Sequence, residues 1–313
     1  MWLQARLYLL LGAMFAIVYA VIVVGASAIG ISGLMFYVLL AVGLLFIQYM
    51  IGPKLVEFSM RVKYVTEAEY PKLHAMVSEL ADAAGIPKPK VGVSPAPIPN
   101  AFAFGRSRSD GRVCVTEQIT RLLSEKELRA VIGHEISHLK NRDVTVITML
   151  SVVPMILWYV AWSFMFSRRS QGNTVLLGIG AFVLYFITNL LVLYGSRIRE
   201  YYADLGSVKL GNAPHHMATA LYKLVYGSAR VPKESLKQME GYKAFFASDP
   251  SRAMTELKEL KQVDLDMSGT IDQGELMALR GQEVRISGSD KLMEIMSTHP
   301  NMVKRVKHLS ELT

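Results

Sequence analysis

"VIGHEISHLKNRD", residues 131–143, stands directly ahead of the apolar run "VTVITMLSVVPMILWYVAWSFMF", residues 144–166. Positions four apart lie on one face of an α-helix with Cβ atoms ~6 Å apart, so His134 and His138 can turn both imidazoles toward one ion. Glu135 is rotated by about 100° around the axis, where it reaches a water on that ion without ligating it. Neutral imidazole suits zinc, and three protein ligands with one water is the catalytic arrangement. A capping box, Ser124 and Glu127, starts the helix. Taken alone, the motif also fits two surface histidines beside a solvated glutamate.

The run after the motif is one of four. The chain has 313 residues and is 51% apolar, with a mean hydropathy of +0.29. The surplus sits in 7–25, 34–51, 144–166 and 175–194, none of which holds Asp, Glu, Lys or Arg. Each has about the 20 residues that a helix needs to cross a hydrocarbon core of ~30 Å. For the first, a signal peptide is the competing reading, although a second run follows almost at once. Cys114 is the only cysteine, so no internal disulfide forms, which fits a reducing compartment.

Cations set the expected orientation. Arg6, Lys54, Arg61, Lys63, Lys140, Arg142, Arg197 and Arg199 flank one side of the runs, against Arg168 and Arg169 on the other. This favours a multi-pass protein of the cell membrane with its polar regions in the cytoplasm. The formal charge of +8 is then explained by cations beside an anionic lipid bilayer, and nothing calls for nucleic acid. No feature fixes an oligomeric state.

The two membrane-flanking helices predict a third ligand. His138 precedes the third run by about six residues and Glu200 follows the fourth by about six. At 1.5 Å per residue both stand roughly 9 Å above the same membrane face. If these antiparallel helices are neighbours, the Glu200 carboxylate completes a His, His, Glu triad. Asp204, one turn on, is placed to accept the outer N–H of a ligand histidine. Surface pairing among Arg197, Glu200 and Asp204 is the plainer alternative.

Elsewhere, "TEAEYPKLHAMVSELADAAG" reads as a helix opened by a Thr66/Glu69 capping box and closed at Gly85. "KVGVS", "NAFAFGR" and "VCVTE" read as strands, the last two joined by a turn at Asp110-Gly111. "SRIREYYADLGSVKLGN" reads as a helix stopped near Gly211, followed by helix-prone sequence to about Tyr226. His215 and His216 read as surface residues.

With these residues assembled, the chain resembles the HtpX-like membrane zinc metalloproteases, relatives of the CAAX prenyl proteases. "NAFAFGR", "GHEISHLKNRD", "SRIREYYAD" and "STHPNMVKRVKHL" occur in that family's order over most of the chain. The resemblance implies a mostly α-helical chain with a small β-sheet, about four integral membrane helices and a zincin-like metalloprotease domain. It implies that His134, His138 and Glu200 bind one Zn2+ and that Glu135 is the catalytic base. In that mechanism Glu135 takes a proton from a zinc-activated water and later protonates the departing amine. It further implies that Asn100, Ala101, Phe102, Ala103 and Phe104 form an edge strand along which an extended substrate lies, rather than a purely structural strand. His299 and Arg305 resemble positions near the active site and are candidate oxyanion donors; the alternatives are a capping histidine and a surface arginine. The implied substrates are proteins or peptides, chiefly damaged or misfolded membrane proteins, within quality control under stress. A protease for prenylated CAAX tails shares the same site, and a non-catalytic metal-dependent membrane scaffold is the other alternative.

The expected organisation is a membrane hairpin over 1–63, a first protease segment over 64–143, a second hairpin over 144–195 and a second protease segment over 196–249. A helix-loop-helix insertion over 250–281 and a closing segment over 282–313 complete it. The insertion departs from the family pattern. "DLDMSGTIDQGE", residues 264–275, reproduces a twelve-residue EF-hand calcium loop. Asp264, Asp266 and Ser268 take positions one, three and five, Gly269 the sharp turn, Thr270 a carbonyl, Asp272 position nine and Glu275 position twelve. The readings are a Ca2+ site or a solvated acidic insertion without an ion.

Overall fold

The computed structural model describes residues 34–166, 172–231 and 253–313. The run 7–25, with Arg6, and the link bearing Arg168 and Arg169 lie outside the described residues. The chain divides into two compact units, one holding residues up to Ile51 together with Thr145–Ile198, the other Gly52–Val144 with Arg199–Thr313.

The elements in chain order begin with α1 (Leu34–Ser59), β1 (Lys63–Tyr64), α2 (Pro71–Ala84), β2 (Lys90–Ser94), β3 (Ala101–Phe104) and β4 (Arg112–Thr116). Next come α3 (Glu117–Leu122), α4 (Glu125–Lys140), α5 (Asp143–Phe166), α6 (Gly172–Lys209) and α7 (Pro214–Ala229). The chain closes with α8 (Ala253–Leu260), α9 (Gln273–Leu279), α10 (Gly288–Ile295) and α11 (Met302–Ser310).

In the first unit the runs 144–166 and 175–194 lie within α5 and α6, and 34–51 within α1. Among the described residues, two helical segments are long and apolar enough to cross a membrane, Asp143–Trp162 and Val175–Lys209. Leu150, Val153, Leu157 and Val192 form a buried cluster between these two helices. Under a third of each apolar window is buried, and Trp162, Leu176, Phe182 and Phe186 are exposed. Such side chains are costly in water and at home in lipid, whereas the core helix of a soluble protein would cover them. Among the described residues, two of the four expected spans are therefore found, and the run 7–25 lies outside those residues.

The second unit is built on a four-stranded sheet of order β1-β2-β4-β3. β2 and β4 run parallel, and β1 and β3 are antiparallel edges. Side chains alternate across it: Ala101 packs with α2 and α4 in the main core, while Phe102 and Phe104 join Cys114, Val56 and Met60 in a second cluster. The main core joins Val77 and Leu80 of α2, Val131, Ile132 and Ile136 of α4, Leu221 and Val225 of α7, and Val303 and Val306 of α11.

One helix start differs from the expectation. Thr66 and Glu69 do bond reciprocally, with Thr66 N–H 2.7 Å from Glu69 Oε2, but they close an isolated turn and α2 begins at Pro71. A residue before proline is pushed out of the α region, and proline itself suits the first helical position. Tyr70 accordingly sits at φ −133°, ψ 64°. The helix ends as expected, at Gly85 in the left-handed region with φ 69°.

Candidate metal centre

The capping box at Ser124 and Glu127 opens α4 and starts the turn count that puts His134 and His138 one above the other. Near the other end, Arg142 adopts φ 56° and the chain turns directly into Asp143, the first residue of α5. α4 and α6 meet at two glycines. A Cβ on Gly133 would lie 2.5 Å from Asn212 Nδ2, and one on Gly206 would lie 2.2 Å from Ser137 Oγ. Ser207 Oγ donates to Ala130 O at 2.6 Å across the same crossing. This close approach brings Glu200 and Asp204 to the histidines.

The two imidazoles are fixed from behind by carboxylates. His134 Nδ1 lies 2.9 Å from Asp204 Oδ1, 70 positions along the chain, and His138 Nδ1 lies 2.5 Å from Asp143 Oδ2. Each carboxylate also meets a buried arginine. Arg305 donates through Nε to Asp204 Oδ2 at 2.9 Å and through Nη2 to Oδ1 at 2.6 Å, and Arg199 pairs with Asp143. A carboxylate accepts the Nδ1–H of each ring, which leaves the two Nε2 atoms as the positions that can bind an ion. Those Nε2 atoms are 3.0 Å apart. Glu200 completes the triangle, with Oε2 3.6 Å from His134 Nε2 and Oε1 3.5 Å from His138 Nε2. Donors at zinc-ligand distances around a tetrahedral ion are ~3.3 Å from one another.

Three features suit a divalent cation. Two facing lone pairs and a carboxylate repel unless a positive charge lies among them. Glu200 Oε2 is buried and accepts no hydrogen bond, although Arg305 Nη1 stands 3.0 Å away as an ion pair. Finally, the buried acids Glu135, Asp143, Glu200 and Asp204 face the buried guanidiniums Arg199 and Arg305. The acids outnumber the guanidiniums, an excess that a bound cation would offset.

Of the two rings, His134 holds a second proton the more readily. Burial works against charge there, but the hydrogen-bonded Asp204 and the adjacent Glu200 outweigh it and raise the group to about 9. Burial, with His134 adjacent, pulls His138 down to about 4. Glu135 is 5% exposed, and burial raises its carboxyl above the ordinary range despite the nearby histidines and a hydrogen bond from the Ala103 backbone. That bond follows from strand register. Asn100 O accepts the Thr116 N–H of β4 at 2.8 Å, so even positions of β3 face β4 while Ala101 and Ala103 turn their backbone groups away from it.

The structure thus brings together His134, Glu135, His138, Glu200, Asp204 and Arg305, with His299 Nδ1 3.4 Å from Glu200 Oε2. Arg305 is fully buried; its guanidinium is engaged by Asp204 and Glu200, which makes it an anchor for ligands. Asn100, Ala101, Phe102 and Phe104 are buried and Ala103 is half-buried. His215 and His216 are half-buried rather than on the surface. Asp264, Asp266 and Glu275 gather in a separate cluster, with Ser268, Thr270 and Asp272 in the same loop.

Two residues of the centre escape a reading of the sequence. Asp143 lies in the quoted motif, five positions after His138, yet its role depends on the Arg142 turn. Arg199 reads as a membrane-flanking cation because it follows an apolar run, and it is instead 6% exposed and paired with Asp143. It drops out of the orientation count.

Comparison with known proteins agrees with this centre. Residues 67–313 match the model of peptidase family M48. A protease HtpX homolog of Methanothermobacter thermautotrophicus is 55% identical over 223 residues, 71% of this chain and 86% of that one. A protease HtpX homolog of Moorella thermoacetica is 32% identical across 99% of this chain and 94% of its own length. The crystal structure of S. mikatae Ste24p shares the fold with a TM-score of 0.55 at 15% identity, covering 98% of this chain and 64% of that one. The match to the family model and the identity to these relatives, on a chain whose histidine pair, glutamate and carboxylates converge as described, place it in peptidase family M48, as a metalloprotease.

Proposed function

We propose that this chain is a membrane-embedded zinc metalloendopeptidase that hydrolyses peptide bonds of misfolded or damaged membrane proteins on the cytoplasmic side. The observation that carries the reading is the meeting of His134, His138 and Glu200 beside a buried Glu135 that also touches the edge strand. His134, His138 and Glu200 would hold the zinc, with Asp204 and Asp143 fixing the two rings. Bound there, zinc would supply Lewis acidity, lowering the pKa of water toward ~7 and polarising the scissile carbonyl.

The chain's own groups do the rest. Glu135, raised by burial, is the group placed to take a proton and return it to the departing amine. Ala103 joins the base to the strand that would align an extended substrate, so the scissile bond and the proton acceptor share one frame. Main-chain pairing to β3 reads no side chains, and broad specificity follows. His299, next to Glu200, is the candidate donor to the developing oxyanion. The exposed apolar helices support a membrane setting, and the cations flanking those helices support the cytoplasmic side.

Glu135→Gln tests the assignment. The variant should keep its zinc by metal analysis and lose cleavage of an unfolded membrane-protein substrate. Normal turnover would refute Glu135 as the base. Running a lipidated CAAX peptide in parallel separates general endopeptidase action from prenyl-protein processing.

A further inference from the structure

A second cluster of acids lies in the loop between α8 and α9. One carboxylate oxygen from each of Asp264, Asp266 and Glu275 lies within 4.8 Å of the others. The chain turns at Gly269 with φ 78°, and Asp264 Oδ2 accepts the Gly269 N–H at 3.0 Å, which points this carboxylate into the loop. Asp272 caps α9 and Glu275 returns to its backbone N–H at 3.0 Å. Glu275 Oε1 also accepts Leu265 N–H at 2.7 Å, closing position twelve onto position two.

The oxygen that sets this loop apart is Asp264 Oδ1. Asp264 is 3% exposed, and that atom is buried with no hydrogen-bond partner. The Tyr222 hydroxyl of α7 interacts with this carboxyl but carries no charge, so a buried oxygen beside two other acids still calls for a cation. The oxygen set is three carboxylates, the Ser268 hydroxyl and the Thr270 carbonyl, hard ligands in the order that suits calcium, with no nitrogen or sulfur to favour a transition metal. The loop is also built into the second unit. Ile271 is fully buried, and its C=O and N–H both bond Thr219 Oγ1 of α7, at 2.8 and 3.0 Å.

We propose that residues 264–275 bind one calcium ion, with Asp264, Asp266, Ser268, Thr270 and Glu275 as ligands, and that the ion fastens the α8–α9 segment to α7. The site is distinct from the zinc centre and does not depend on the protease assignment.

The test is calorimetric titration of the full-length, zinc-loaded protein in detergent with calcium chloride, and with magnesium chloride as comparison. The parent should take up one Ca2+ per chain, in the broad window from about 10⁻⁶ to 10⁻³ M that such loops cover, and bind Mg2+ more weakly. Asp266 is exposed, so Asp266→Asn leaves the fold intact while weakening uptake on the order of tenfold or more. Asp264→Asn should do the same. Equal zinc content in parent and variants shows that the catalytic centre is untouched. No uptake by the parent at millimolar calcium overturns the proposal, as does uptake that is the same in Asp266→Asn as in the parent.

Discussion

Gly206 packs against Ser137 so closely that a methyl group on the glycine would stand 2.2 Å from the serine Oγ and 2.6 Å from its Cβ. The crossing of α4 and α6 is set by this pair, and Glu200 and Asp204 reach the histidines only at that separation. Gly206→Ala should destabilise the protein by about 1–3 kcal/mol through overpacking and lower zinc retention during dialysis. Adding Ser137→Gly, which removes the obstructing side chain, should recover both. A Gly206→Ala variant with parental zinc content would show that the crossing tolerates widening.

Arg305 neutralises two buried acids at once. Arg305→Met leaves Asp204 and Glu200 buried beside no guanidinium of their own, and breaking such an arrangement costs about 3–5 kcal/mol. The double replacement Arg305→Met with Asp204→Leu should recover much of that loss in denaturant unfolding. It should not recover zinc retention, because His134 then lacks the acceptor that fixes its ring. Recovery of both would mean that Asp204 serves stability alone.

Asp143 holds His138 as Asp204 holds His134. Asp143→Asn keeps the shape but weakens the acceptor and leaves Arg199 without its anionic partner. Zinc affinity should fall roughly 10- to 100-fold, the usual cost of losing such a support. Competition with a chromogenic chelator measures it, and an unchanged affinity would remove Asp143 from the centre.

The connection between β3 and β4 carries its own acid dependence. A hydrogen bond from Arg106 is the main cause that draws the Asp110 carboxyl down to about 2, with Arg112 contributing. An unfolded aspartate titrates near ~3.9. Since the folded value is the lower, the contribution to stability is complete above ~4 and is lost as pH falls through about 2. Asp110→Asn should therefore melt below the parent at neutral pH, with the gap closing between pH ~4 and ~2. A gap that stays constant across that range would sink the assignment.

The parts legible in the sequence are those with a local cause. α4 declares its start by a capping box and its metal-facing side by a four-residue spacing; the strands at 90–94 and 112–116 declare themselves by β-branched residues between turns. Glu200 is reachable by one further step, the antiparallel run of two apolar helices. What escapes has a partner far along the chain or a turn that hides it. Arg305 is singled out only by the family resemblance, as an oxyanion donor; its pairing with Asp204 across 101 positions is not announced by anything in "MVKRVKHL". Arg199 and Asp143 each look like solvent-facing charges until the Arg142 turn brings them together. Thr66 and Glu69 form their box as expected, yet Pro71 sets the helix start, because a steric rule on the preceding residue outweighs a few surface hydrogen bonds.

Ala103 offers its amide to Glu135, on a strand whose neighbouring side chains, Phe102 and Phe104, point into the interior. A protease that docks its client on such a strand senses whether a stretch of polypeptide has come free of its own helix or sheet. If β3 docks the client as proposed, turnover would follow the client's free energy of local opening, and heat, truncation or a missing subunit would raise cleavage of an otherwise unaltered sequence.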